Sequence, residues 1–371
     1  MDKVYHGRGT QDAWFDGRDW ARIVLFWGRL VKLGDAPEWV VGGDDGRVLD
    51  LERVNSAGEN SGEFASCDPK YIRRRTFALH VGYLGTEYNG YQKQGKGGGS
   101  GDTRTVEDDL DSTLSSVLHG RSTNASGRTD KGVSALSQCV SFTSFDGALT
   151  AEHIMSLINT SEPAIDGRLR CFDCRRVPRK FHSVYGCEWR RYIYLLPLRH
   201  EAEVDVSFIN ESLLLLQGQP LHYYGFTYGD VPVLETGGLD DECILFHSRA
   251  RLVDLGDADG DAAAPAVCIE LVGNRFLRRM CRSLVATVLR EESRNERDVT
   301  VLHKISEIGD RRLAAFPAPA IGLCLAGVGY SLDLLDWKST MRPVPPPKKV
   351  RSTREGRRGR KEKEPLDVGK K

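Results

Sequence analysis

Large apolar residues recur at every second position at Phe77, Leu79, Val81 and Tyr83, with Gly82 inside the run and Gly85 after it, which predicts a strand entering a glycine turn. A second strand is expected at Cys139-Val140-Ser141-Phe142, and a third, half-buried one at Arg191-Tyr192-Ile193-Tyr194-Leu195. Cys171 and Cys174 also fall in a strand-like stretch. The run Cys268-Ile269-Glu270-Leu271-Val272 leads through Gly273 into a helical pattern over about residues 274–290. At about 100° per residue, Phe276, Met280, Leu284 and Val288 share one side of that helix, and Arg275, Arg278, Arg279 and Arg282 share another. The ordinary meaning of such a stripe is a helix packed on a core with a solvated basic face, and the same face could equally line a nucleic-acid cleft. Trp14, Trp20, Trp27 and Trp39, with Ile23-Val24-Leu25-Phe26, make the N-terminal part too apolar for a disordered tail. It is expected to dock as helix plus loop on the core or on a partner protein.

Residues 55–66 read as a polar linker, 95–101 as a flexible glycine loop, and 254–265 as an acidic, alanine-rich connection between two strands. Lysine plus arginine and aspartate plus glutamate each number 52, so the chain of 371 residues is formally neutral. That argues against a uniformly basic RNA binder, but the charge is unevenly spread. Residues 338–371 carry 13 Lys or Arg against 4 acids and little apolar content, and are expected to be a disordered basic tail that solubilises, tethers RNA or directs nuclear import. No stretch approaches membrane-spanning length, and there is no signal-peptide pattern. Acids at Asp12, Asp16 and Asp19 count against a transit peptide. Nine scattered cysteines suggest a reducing intracellular compartment, nucleus or cytoplasm ahead of mitochondrion. Cys171-x-x-Cys174 with His182 and Cys187 resembles a zinc set only weakly, because no second C-x-x-C follows; no metal is expected.

The richest chemistry lies in Ser126-Gly127-Arg128-Thr129-Asp130-Lys131-Gly132-Val133-Ser134-Ala135. One acid stands between two bases, with glycines on both sides that allow a tight loop at a cleft rim. An ionised aspartate in a basic setting is a candidate nucleophile for a polyanionic substrate. Taken alone, the same ten residues also describe a surface turn with local ion pairs.

The segment Gly127 to Ala135 resembles the catalytic motif of the TruA-type tRNA pseudouridine synthases, and its Lys-Gly-Val-Ser-Ala ending is closest to their eukaryotic branch. Four further segments resemble that family in the same order. Tyr88-Asn89-Gly90-Tyr91-Gln92 is similar to its opening motif, with tyrosine for tryptophan. Phe181-His182-Ser183-Val184-Tyr185, followed by Arg190-Arg191-Tyr192-Ile193-Tyr194, is similar to F-H-A-R-F and R-x-Y-x-Y. Gly273-Asn274-Arg275-Phe276 through Met280-Cys281-Arg282 is similar to its strand-turn-helix, and Ala318-Pro319-Ala320-Ile321-Gly322-Leu323-Cys324-Leu325 to its closing strand. The chain departs from the pattern at Val184, where arginine is expected, and at Tyr223-Tyr224-Gly225-Phe226-Thr227-Tyr228-Gly229, which replaces D-F-x-x-F.

The resemblance implies an α+β fold: a central mixed, mostly antiparallel sheet, helices outside, and an RNA cleft between two halves. On that basis residues 1–70 are an extension and linker, 71–165 and 166–337 the two halves, and 338–371 the tail. It implies that Asp130 is catalytic, that Tyr192 packs on the target base, that Arg282 pairs with Asp130, and that Arg128 contacts substrate. The substrate would be a uridine in tRNA, on the 3′ side of the anticodon arm, and a homodimer is compatible with the relatives. No cofactor is required, since the reaction is an isomerisation. The carboxylate could attack ribose C1′, assist a glycal-type elimination, or add to the uracil ring; the sequence does not choose. A different class stays open, an RNA-binding or ribosome-assembly protein of the same fold without turnover. A carboxylate glycosidase lacks a convincing second acid near Asp130.

Overall fold

The expected alternation at residues 77–83 is realised as β1 (Arg75–Tyr83), which pairs antiparallel with both β3 (Ser134–Ser144) and β4 (Leu169–Val177). The computed structural model describes residues 14–34, 36–41, 74–93, 104–233, 238–256 and 264–330. The linker at 55–66, the glycine loop at 95–101 and the tail at 338–371 lie outside the described residues, as do residues 257–263 of the acidic connection. The remaining described strands are β2 (Asn124–Ala125), β5 (Cys187–Pro197), β6 (Pro220–His222), β7 (Glu242–Asp254), β8 (Pro265–Gly273) and β9 (Leu323–Tyr330).

They form one sheet in the order β4-β1-β3-β9-β5-β8-β7-β6, with β2 beside β3. Every pairing is antiparallel except β3 with β9. The expected α+β fold with a mixed, mostly antiparallel sheet is therefore present. β9, last in sequence, lies between β3 and β5 and joins the two sides of the sheet. The acidic connection does link two strands, leaving β7 at Asp254 and entering β8 at Pro265.

Alternation along β5 sends successive side chains to opposite faces. Tyr192, Tyr194 and Leu196 enter the larger core, shared with α2 (Val106–Thr113), α3 (Ala151–Asn159), α4 (Val206–Leu214), α5 (Met280–Glu292) and α6 (Val301–Ile308), all numbered after the N-terminal α1 (Trp20–Leu33). Ile193 and Leu195 enter a second core on the reverse face. That face is covered by α1 itself, whose Ile23, Phe26, Trp27, Leu30 and Val31 recur at helical spacing and are buried. Asp19 caps the start of α1 by accepting from Arg22 N, and Gly34 ends it at φ 76°. The described part of the Trp-rich extension thus packs on the core of its own chain.

The same face buries an ion cluster. Glu270 on β8 accepts from Arg191 and, at 2.8 Å, from Arg249 Nε. Burial raises the Glu270 pKa, but the two guanidinium groups outweigh it and hold the carboxyl below its ordinary range. Arg191 also donates to the carbonyl oxygens of Val40 and Trp39, so the N-terminal segment completes the hydrogen bonding of a buried cation.

One expected element is shorter than its pattern. The helix anticipated from about residue 274 begins at Met280. Asn274 Oδ1 accepts from Ile244 N and Arg275 N, which holds a turn, and Arg279 then adopts a left-handed φ of 61°. Arg275, Arg278 and Arg279 consequently do not continue the helical face of Arg282. Arg275 instead pairs with Asp240.

Candidate active site

Asp130 stands in the loop between β2 and β3, and a buried amide sets the path of that loop. Gln138 Nε2 donates to Gly127 O at 2.7 Å, while its Oε1 accepts from Ser126 Oγ at 2.6 Å and Gly127 N at 3.3 Å. Tyr83 Oη and Thr129 Oγ1 are hydrogen-bonded at 2.9 Å, and Gly85 N donates to Ser134 Oγ at 3.0 Å. The opening motif closes the other side, with Tyr91 N donating to Thr129 O at 3.1 Å. Gly90, at φ 98°, lets the two backbones meet: a Cβ there would lie 3.2 Å from Thr129 O.

The cations that reach Asp130 come from the far side of the sheet. Arg282 Nη1 lies 3.5 Å from Asp130 Oδ2, and Arg279 Nε lies 3.9 Å from it. Arg282 is itself oriented by the closing motif, donating from Nε to Ala318 O at 2.6 Å while Ala318 N donates to Arg282 O at 3.0 Å. Burial pushes the Arg282 pKa down and Asp130 pushes it up; a guanidinium in either case stays charged near neutrality. The two sides are also stapled by Arg190, whose Nε and Nη2 donate to Ser126 O at 3.1 and 2.8 Å and whose Nη1 donates to Asn274 O at 3.0 Å.

Tyr192 is buried against Phe276, ring edge to face at 5.1 Å. A Cβ at Gly127 would sit 3.7 Å from its hydroxyl, so the ring borders the Asp130 loop. Burial, with the charge of Asp130 among the lesser causes, pushes its phenol far above the ordinary range. The side chain is therefore a neutral surface and a hydrogen-bond donor rather than a base.

Three of the four residues singled out from sequence, Asp130, Tyr192 and Arg282, are brought together. Arg128 is exposed, and neither it nor Lys131 supplies the ion pairs on Asp130. Val184 is also exposed, beside a Tyr185 that is almost fully so. In the segment replacing D-F-x-x-F, Tyr223 and Phe226 are buried and Tyr228 lies 4.2 Å under the Arg279 guanidinium. Sequence reading missed Gln138, Arg190, Arg279 and Tyr228 as parts of the site. Arg279 left a trace in the basic face of the expected helix, and Arg190 and Tyr228 lie inside quoted motifs; for Gln138 the available signal was an amide in an otherwise apolar strand, which must find partners when buried. Cys171 and Cys174 are buried in β4, and burial pushes the Cys171 thiol up to about 12. No group of three or more His, Cys, Asp or Glu among the described residues is placed to hold a metal ion.

A lone carboxylate gripped by a guanidinium, beside a neutral aromatic ring, suits attack on an electrophilic carbon of a ring-bearing substrate. Comparison with known proteins agrees. Residues 242–331 match the family model described as tRNA pseudouridine synthase. The tRNA pseudouridine synthase A of Lacticaseibacillus casei is 29% identical over 269 residues, covering 68% of this chain and 99% of that protein. Those of Thermotoga neapolitana and Thermus thermophilus are each 29% identical, over 67% and 70% of this chain and 97% and 99% of their own. Fold, site and sequence define an isomerase of the pseudouridine synthase class. Within that class the chain is similar to the TruA-type enzymes named tRNA pseudouridine synthase A.

Proposed function

We propose that this chain converts a uridine of tRNA, on the 3′ side of the anticodon arm, into pseudouridine, with Asp130 as the nucleophile. The observation that carries the reading is the Asp130–Arg282 pair formed across the sheet beside Tyr192. Arg279 and Arg282 both approach Asp130 through Oδ2, which leaves Oδ1 as the attacking atom. The target nucleotide is first extruded from its stack, at a cost of a few kcal/mol. Asp130 then bonds to C1′ as the C1′–N1 bond breaks, leaving a sugar ester and a uracil anion. Tyr192 and Phe276 hold the uracil while it turns. C5 bonds to C1′, the carboxylate departs, C5 gives up its proton, and N1 gains one, so the balance is that of an isomerisation. The neutral Tyr192 phenol packs and donates, and solvent carries the proton. Asp130 comes from the segment 71–165, and Tyr192 and Arg282 come from 166–337, which supports a catalytic cleft between those halves.

The test is carbodiimide-blocked primer extension on bulk tRNA. Wild type is expected to stop the extension at one anticodon-arm position, whereas Asp130→Asn and Asp130→Ala bind tRNA and give no stop. Equal modification by all three chains rejects the nucleophile. Binding without modification by wild type supports the assembly-factor reading instead, and a stop elsewhere in the tRNA corrects the position.

A further inference from the structure

Arg279 stands in an unusual state. It is one of two non-glycine residues with positive φ among the described residues, in a region that costs an arginine strain. Its Nε is buried and has no hydrogen-bond partner, although it points toward Asp130 from 3.9 Å, beyond hydrogen-bonding reach. The guanidinium rests on the half-exposed ring of Tyr228 at 4.2 Å. That ring is held in turn: Tyr228 N donates to Arg278 O at 3.0 Å, and Thr227 Oγ1 donates to the same oxygen at 3.2 Å. Arg311 lies over Tyr224 at 3.9 Å and donates to Gly229 O, fixing both ends of the segment. Strain and an unsatisfied donor persist where the surroundings over-determine them, and both occur here beside the reacting carboxylate.

We propose that Arg279, carried on the Tyr228 ring, is a substrate-binding residue that takes the backbone phosphate flanking the target ribose. This rests on Asp130 attacking that ribose. The substrate brings a phosphate anion toward a carboxylate, and the two repel. A guanidinium between them offsets the repulsion, and its planar fork gives two parallel donors to phosphate oxygens. Arg282 is less free for this task, because its Nε is already committed to Ala318 O. Arg279 keeps an unpaired Nε and, with its side chain 31% exposed, presents the rest of its guanidinium to solvent, while an aromatic face restricts its swing without consuming a donor.

The test compares wild type with Arg279→Asn, which suits the left-handed backbone, and with Tyr228→Leu. The substrate is a defined tRNA, with and without a methylphosphonate at the single phosphate flanking the target uridine. Arg279→Asn is expected to raise KM and the filter-binding Kd about tenfold with kcat little changed, and to lower the slope of log Kd against log salt by about 0.7 to 0.9. Tyr228→Leu should move Kd in the same direction by less. Neutralising the phosphate should weaken wild type alone, because Arg279→Asn has already lost that contact. A fall in kcat with KM and Kd unchanged would assign Arg279 to positioning Asp130 and overturn the proposal. So would equal sensitivity of wild type and Arg279→Asn to the methylphosphonate. If wild type forms no pseudouridine, the catalytic reading fails by itself, while the Kd series still decides whether Arg279 holds that phosphate.

Discussion

Replacing Gly85 with alanine tests whether packing behind the Asp130 loop sets the reaction rate. A Cβ at Gly85 would fall 2.2 Å from Val133 C, 2.3 Å from Val133 O and 2.6 Å from Ser134 N. These are main-chain atoms, so no side chain can swing aside. Ordinary contact begins at 3.4 Å, so 3.4 − 2.2 requires the loop to retreat by about 1.2 Å. Val133 N donates to Asp130 O at 3.1 Å, which passes the shift on to the Asp130 turn. The carboxylate already sits 3.5 Å from Arg282, so a further ångström on that path parts the pair. Misplacement on this scale costs about 10²-fold in rate, and the overpacking costs about 1–3 kcal/mol of stability. Gly85→Ala should therefore lose about two orders of magnitude in single-turnover pseudouridine formation at saturating tRNA, melt a few degrees lower, and keep its tRNA affinity. Gly147→Ala is the control, since nothing lies within 4 Å of a Cβ there. A Gly85→Ala chain with the wild-type single-turnover rate would refute the reasoning, and so would a control equally impaired.

Two further outcomes follow from buried polar groups. Gln138→Leu removes the amide that pairs with Ser126 Oγ and Gly127 O, and each buried group left unpaired costs about 1–3 kcal/mol; urea unfolding should show at least about 2 kcal/mol lost, and a loss within error contradicts the clamp role. His80 lies against Leu136 O at 3.0 Å, and burial holds its pKa below the ordinary 6.5. A base with a depressed folded pKa takes up its proton more readily when unfolded. Its contribution is thus complete above 6.5 and is lost as pH falls through that value toward the folded pKa. Thermal melts at about pH 7.5 and about pH 5.5 should show a larger acid loss for wild type than for His80→Gln, and equal losses would dismiss His80 as the cause.

Local patterns were enough for the strands around residues 77–83 and 191–195, because alternation is a property of adjacent residues and survives any tertiary arrangement. The helix start was not legible in the same way. Periodicity extended it to Asn274, but Asn274 caps a turn through Ile244, a residue thirty positions away, and Arg279 leaves helical space. The segment of α1 was legible as too apolar for a tail, yet the choice between its own core and a partner depended on which sheet face lacked cover.

The motif order along the chain, without coordinates, pointed to the resemblance and singled out Asp130, Tyr192 and Arg282, which the structure brings together, since those residues carry their chemistry in their identity. Folding decided which cations serve the acid. Arg128 and Lys131 are its neighbours in sequence, but both are exposed, and the guanidinium groups that arrive come from residues 279 and 282. Gln138, Arg190 and Tyr228 acquire their parts only through long-range contacts, because a hydrogen bond or a stacked ring depends on distances in space that no spacing along the chain encodes.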